Sequence, residues 1–441
     1  MSAARERPPA GGAPKPFAIP EGEPWALPNG LRVTLVPWGT VPKATVRLAL
    51  RSGTIDEEPD EVWLSDLTGD LMQEGTQARS AREIAESAAR MGGALEVATG
   101  LDQVAVTGDV LSEFAADVVR LIADVVRNPR FPASELPRLK QDLRRELAVA
   151  RQEPAQLTLE RFRAALYPGH PYGRTFPTDA ALAGYGLEQV RTFHAVHFGA
   201  ARARLYVVGR FEQPEVRRAV EESLGDWAPG PPPRLTPPVA GPRPEVHVID
   251  RPGAPQSTLM VGLPVPDPSR PEWVGLQVTN ALLGGSFASR ITSNIREDKG
   301  YTYSPRATLS VRYRDAYWAE EADVATEATG ASLREIHAEI RRLADEEPRR
   351  EELEGIANYL AGTFVLQNST RQGILGQKVF LDLHGLPDDY VRTWVGRVHA
   401  TTPTEVSRLT REFLVPERML TVITGDRAKV EGQLAPAPIG I

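Results

Sequence analysis

Two short stretches of this 441-residue sequence hold residue types spaced for chemistry. In Leu64-Ser65-Asp66-Leu67-Thr68-Gly69-Asp70-Leu71-Met72 the apolar spacing predicts a helix over 62–73. Asp66 and Asp70 stand i, i+4 on one face of it, so two carboxylates can converge. Oxygen ligands of that kind suit Mg²⁺, Ca²⁺ or Mn²⁺ better than Zn²⁺, which is usually held with nitrogen or sulfur donors. Gly69, between them, has no side chain to act as a base. The second stretch is Ile295-Arg296-Glu297-Asp298-Lys299-Gly300-Tyr301-Thr302-Tyr303. The spacing of Arg296 and Tyr303 lets two helical turns, or a helix-to-strand corner, bring both to one side. Gly300 predicts the end of the helix there, by taking the left-handed conformation open to glycine. Taken alone, Arg296 reads as half of a surface ion pair and Tyr303 as a half-buried strand aromatic. Of the seven histidines, His194 and His197 are three apart on an expected helix, but no third ligand stands near them in sequence.

In the inverted zinc-peptidase motif H-x-x-E-H, two imidazoles one helical turn apart reach one zinc, and the glutamate between them is the general base. The same positions here are Asp66, Gly69 and Asp70. From Trp25 to Asp426 the chain resembles the pitrilysin and insulinase class of metallopeptidases, in the branch of the mitochondrial processing peptidase subunits. The resemblance is carried by Leu27-Pro28-Asn29-Gly30-Leu31-Arg32-Val33, Ser52-Gly53-Thr54, Glu74-Gly75-Thr76, His170-Pro171-Tyr172-Gly173, and Arg296 with Tyr303. Glu146, in a helix expected over 134–151, falls where the family keeps its distal zinc ligand. Charge pairing within Arg144-Arg145-Glu146-Leu147 would also account for it.

The resemblance implies a non-zinc subunit of a two-chain metallopeptidase, with no cofactor of its own. A homologous partner would carry zinc on H-x-x-E-H, forming a heterodimer that acts on peptide substrates. Arg296 would supply charged donors and Tyr303 a phenolic donor to the substrate backbone and the developing oxyanion. Glu96, in an edge strand expected within 92–99, stands where catalytic members tend to have asparagine; such a strand could pair with an extended peptide. Two alternatives are a non-enzymatic scaffold or peptide-binding protein of the same fold, and a hydrolase using a cation on Asp66, Asp70 and Glu146.

Composition is that of an ordinary globular chain, with 41% hydrophobic and 25% charged residues. The formal net charge of −7 argues against a nucleic-acid partner. No stretch approaches the roughly 20 apolar residues of a membrane span. Cysteine is absent, which rules out disulfides and thiolate metal sites. The first twenty residues lack the apolar core of a signal peptide, so the expected location is cytoplasmic, or periplasmic if a targeting segment has been removed.

These sites must be positioned by two α+β halves. Residues 1–22 read as a flexible arm and 230–244, rich in proline, as a linker. Between and after them lie domains at 23–229 and 245–441. Each half gives the same order: strand, helix, strand, two long helices and a closing strand. In the first half these are 45–50, 62–73, 104–107, 112–126, 134–151 and 204–209. In the second they are 257–263, 271–283, 307–324, 330–344, 349–366 and 419–425. The result expected is a clam-like pair of homologous α+β half-domains.

Overall fold

The computed structural model describes residues 18–233, 236–238 and 244–434. The start of the expected arm and part of the expected linker lie outside these. Strands β1 (Glu23–Ala26), β2 (Arg32–Pro37), β3 (Lys43–Leu50), β4 (Leu95–Thr99), β5 (Val104–Leu111) and β6 (Ala203–Gly209) form one sheet, in the order β1-β2-β6-β3-β5-β4. Its helices are α1 (Leu64–Gln73), α2 (Ala81–Arg90), α3 (Ala115–Arg127), α4 (Leu136–Ala150), α5 (Pro154–Leu166), α6 (Asp179–Gly184), α7 (Leu187–His197) and α8 (Gln213–Leu224).

The second sheet contains β7 (Val246–Asp250), β8 (Gln256–Val265), β9 (Arg306–Arg312), β10 (Asp315–Ala325) and β11 (Leu420–Gly425), in the order β7-β11-β8-β10-β9. With it come α9 (Trp273–Asn280), α10 (Thr329–Asp345), α11 (Arg350–Asn368), α12 (Arg371–His384), α13 (Asp389–Ala400), α14 (Pro403–Phe413) and α15 (Arg427–Leu434). Strand for strand, β2-β6-β3-β5-β4 repeats as β7-β11-β8-β10-β9. In both, the first pair is parallel and the rest antiparallel. The two halves are therefore copies of one topology, as the sequence repeat implies. The closing strands expected at the end of each half are each followed by a helix, α8 and α15.

The central strands are apolar on both faces: β11 is buried throughout and β3 nearly so. A sheet covered by helices on one side only would leave alternate residues wet. The second cover comes from the other half. Phe162 and Leu166 of α5 pack on Met260, Tyr317, Leu420 and Val422 of the second sheet. Ile374 and Leu375 of α12 pack on Val36, Ala49, Tyr206 and Val208 of the first. Each half thus lends one helix to the other's sheet, which fixes the two sites relative to one another.

Polar contacts reinforce this exchange. Arg371 of α12 donates to Asp109 at 3.0 Å and to Thr45 Oγ1 at 3.2 Å. Thr158 of α5 and Thr424 of β11 share a buried hydrogen bond at 2.7 Å. At the seam, Asp102 accepts from the Tyr172 phenol and from the Tyr313 N–H, and Asp315 accepts from the Tyr167 phenol. The buried Arg312 guanidinium lies 4.6–5.6 Å from the ring centres of Tyr317, Tyr167 and Tyr172. Buried Arg202 holds the beginning of the linker, donating to Pro231 O and Pro232 O. Ile19, within the expected arm, packs against the second half's core.

Candidate functional site

Helix α1 begins after Trp63, whose backbone is left-handed (φ 71°) and whose indole donates to Thr175 O at 3.0 Å. Its apolar face, with Leu64, Leu67, Leu71 and Met72, is wholly buried. Gly69 allows a close approach to the edge strand β4: a Cβ there would lie 2.9 Å from Thr99 Oγ1 and 3.4 Å from Val97 Cγ1. Installing the family's acid as Gly69→Glu is therefore expected to cost about 1–3 kcal/mol by overpacking. A lowered thermal midpoint relative to wild type would show it.

Asp66 and Glu146 of α4 line a cavity of about 870 Å³, with Trp63, Arg145, Arg163 and Arg174 also on its wall. Asp70 does not line it. That carboxylate feels the charges of Glu146, Glu74, Arg138 and Asp142. Among the described residues no three His, Cys, Asp or Glu side chains gather as metal ligands, so the convergence open to Asp66, Asp70 and Glu146 is not realised. The donor chemistry fits a peptidase zinc poorly as well, with no imidazole on α1 and no side chain at Gly69, where the motif has its glutamate.

Burial, then the nearby Asp70 and Glu146 charges, push the Asp66 carboxyl up to about 7; burial, then Glu146, push Asp70 up to about 6. Between the ordinary aspartate value of 3.8 and these values, the folded chain holds protons that the unfolded chain has released. Stability therefore falls as pH rises through that window. Asp66→Asn is expected to make the thermal midpoint fall less from pH 4 to 7 and to raise it at pH 8; an unchanged pH profile would contradict this. Glu57, beneath the start of α1, accepts from the Ser65 N–H at 2.9 Å and is pushed up to about 8 by burial.

His194 and His197 have separate partners, Val126 O at 2.8 Å and Asp56 at 3.4 Å. Burial holds the His194 imidazole below its usual value. They form no common site.

Arg296 and Tyr303 do come together. Arg296 sits in a widened, π-type helical turn, Thr292–Asp298, anchored by buried Ile295. Gly300, at φ 64°, reverses the chain as expected, and Tyr301 N–H closes the turn on Ile295 O at 2.8 Å. Thr302 then bridges to Val324 of β10. This corner sets the Arg296 guanidinium 4.8 Å over the Tyr303 ring. The same guanidinium lies 4.5 Å from the centre of the Phe287 ring. Phe287 is absent from the sequence expectation; its signal is the Gly284-Gly285 pair just before it, which ends the π-type helical segment Ala281–Gly285. Tyr303 is 80% and Phe287 71% exposed, so Tyr303 is no half-buried strand aromatic. Arg296 keeps 22% exposure beside them, with Glu297 3.3 Å away. All three residues line a cavity of about 580 Å³ with Arg306, Glu321 and Asp323. Ala155 of α5 is on its wall, while Gln156 and Arg163 of the same helix wall the Asp66 cavity, so the lent helix runs between the two sites.

Residues 32–179 match the sequence model of "Insulinase (Peptidase family M16)", and 186–360 that of "Peptidase M16 inactive domain". An uncharacterized zinc protease of Rickettsia bellii (strain RML369-C) is 24% identical over 74% of this chain and 79% of its own length. One of Bacillus subtilis (strain 168) is 27% identical over 63% and 67%. A probable mitochondrial-processing peptidase subunit beta of Arabidopsis thaliana is 23% identical over 47% and 39%. In fold, the crystal structure of a peptidase M16 inactive domain from Pseudomonas fluorescens superposes with a TM-score of 0.85 at 22% identity, covering 92% of this chain and 98% of that one. A protease from Helicobacter pylori gives 0.85 at 18% identity, covering 92% and 100%.

Proposed function

From the premise that the chain belongs to the insulinase-type M16 peptidase family, we propose that it is the non-zinc subunit of a two-chain metallopeptidase, completing its partner's active site. The observation that carries this reading is an asymmetry between the two sites. The motif positions Asp66 and Asp70 offer no imidazole and Gly69 no side chain where the motif has its glutamate, whereas Arg296 and Tyr303 are preassembled and open to a ligand.

The partner's zinc supplies the Lewis-acid chemistry. This chain's residues bind and orient. A guanidinium held against two rings offers a fixed fork of N–H donors, and a neighbouring phenol adds an O–H donor. Together they suit a peptide carbonyl whose oxygen gains negative charge during cleavage. Glu146, Asp66 and Asp70 take no catalytic part, and the Asp66 cavity is a wall of the peptide chamber. The test is co-expression with an H-x-x-E-H-bearing homologue from the same source: peptidase activity from the pair and from neither chain alone supports the assignment, and a pair as inactive as its parts overturns it.

A further inference from the structure

The Asp66 cavity holds a cation for which the paired site has no use. Three arginines stand on its wall, Arg145 of α4, Arg163 of α5 and Arg174. Two of them are engaged. Arg145 pairs with Asp142, and Arg174 Nη2 donates to Glu57 O at 2.8 Å. Arg163 has neither an ion pair nor a hydrogen bond among the described residues. Its Nε is buried, whereas both Nη groups keep accessible surface, and this is the cavity that the side chain lines.

The carboxylates of the same cavity stand at its other end. After burial, the charges that raise Asp66 are those of Asp70 and Glu146, with Arg163 not among them. Against burial, Arg163 joins Arg312 in favouring the Tyr317 phenolate, and Arg306 in favouring the Glu321 carboxylate. Both of these groups are on β10, so the basic end of the cavity faces the second half and the acidic end faces α1. Glu321 is not the ion-pair partner of Arg163; it lies 3.9 Å from Arg306. Glu153, just before α5, is about 15 Å from Arg163 along the helix.

Glu321 and Ala155 of α5 also line the cavity of Arg296 and Tyr303. Helix α5 thus links the corner that holds the cleaved carbonyl to the unpaired guanidinium. From Ala155 to Arg163 is about 12 Å along the helix, the length of about three to four residues of extended peptide.

We propose that Arg163 anchors a carboxylate of the peptide substrate, about three to four residues from the cleaved bond, through a bidentate pair from its two Nη groups. The carboxylate is that of an acidic side chain or of the chain end. Its identification as substrate rests on the paired-peptidase reading; the affinity of the isolated chain for a carboxylate does not.

The experiment is a ligand-detected NMR titration of the purified chain, without any partner, using three probes. N-acetyl-L-glutamic acid α-amide carries only a side-chain carboxylate, N-acetyl-L-glutamine only a terminal one, and N-acetyl-L-glutaminamide neither. At least one acid is expected to bind about ten- to hundredfold more tightly than the neutral amide, the value of a charge-assisted pair, and the tighter of the two names the source. Arg163→Gln should remove this preference. Arg163→Lys keeps the charge and most of the stem but offers no fork, and should weaken it. Arg296→Ala should leave it intact, which separates this anchor from the corner. The proposal is overturned by no preference in wild type, by one that survives Arg163→Gln or is undiminished in Arg163→Lys, or by one lost in Arg296→Ala. Because the chain is assayed alone, that failure is separate from failure of the paired site. In the reconstituted peptidase, moving one glutamate along a glutamine-rich peptide should lower KM most at about three to four residues from the cleaved bond. Arg163→Gln should flatten that profile, and a profile already flat in wild type would contradict the anchor.

Discussion

Replacing Arg296 by alanine is expected to lower kcat/KM of the reconstituted two-chain peptidase by about 10²- to 10³-fold, the scale of removing a preorganised oxyanion donor. The guanidinium lies against both Phe287 and Tyr303, so its donors are fixed before substrate arrives and little order is lost on binding. Lysine should not rescue it. An ammonium neither stacks against two rings nor offers a planar fork. Tyr303→Phe keeps the ring under Arg296 and removes only the phenol, so a smaller loss of about 10-fold or more is expected. Tyr303→Ala removes both and should approach Arg296→Ala. Since Tyr303 is 80% exposed, its substitutions should leave stability within about 0.5 kcal/mol of wild type. A surface ion pair with Glu297 would predict the opposite outcome, full activity in every variant.

The largest expected change in stability is at Arg312. Its side chain is buried where the halves meet, among Tyr167, Tyr172 and Tyr317, and its Nε and Nη2 have no hydrogen-bond partner. The cation is held by ring faces, by a hydrogen bond from Nη1 to Ser310 Oγ at 3.2 Å, and by the charges of Asp102 and Asp315, whose carboxyls burial pushes upward while Arg312 opposes the shift. Arg312→Met keeps much of the volume and leaves two buried carboxyls with their positive neighbour gone. About 3–5 kcal/mol of destabilisation is expected, by the rule that breaking a buried charge set costs far more than its intact form contributes. Urea unfolding of the chain measures it. A loss under about 1 kcal/mol would mean that the tyrosine hydrogen bonds alone hold the seam.

Much of the scaffold was legible because strand and helix periods are local. The alternation of Thr45–Leu50 and the apolar run ending at Gly425 predicted strands that the fold contains. The same element order in both halves predicted the repeat, and Gly300 predicted the turn beside Arg296. Part of what stayed hidden is tertiary. Nothing in the sequence of α5 or α12 says that Phe162 or Ile374 covers the other half's sheet, since an amphipathic helix reads the same on either. The helices α2, α5, α6, α8 and α12–α15 are not among the expected elements, although Pro214 marks the first turn of α8. At the site, i, i+4 spacing placed Asp66 and Asp70 on one helix. It could not show that only Asp66 lines the cavity, that Thr99 leaves no room at Gly69, or that Phe287 closes over Arg296.

The central claim is that catalysis needs two chains, one holding zinc and this one holding Arg296 and Tyr303. It is tested most directly by purifying the chain under native conditions from its source, then measuring zinc and peptidase activity in the complex and in each separated chain. The expected result is a homologous H-x-x-E-H partner, zinc that follows the partner, and activity that appears only when both are present. Recovery of the chain without a zinc-bearing partner or activity, or of activity and stoichiometric zinc with this chain alone, would contradict the account.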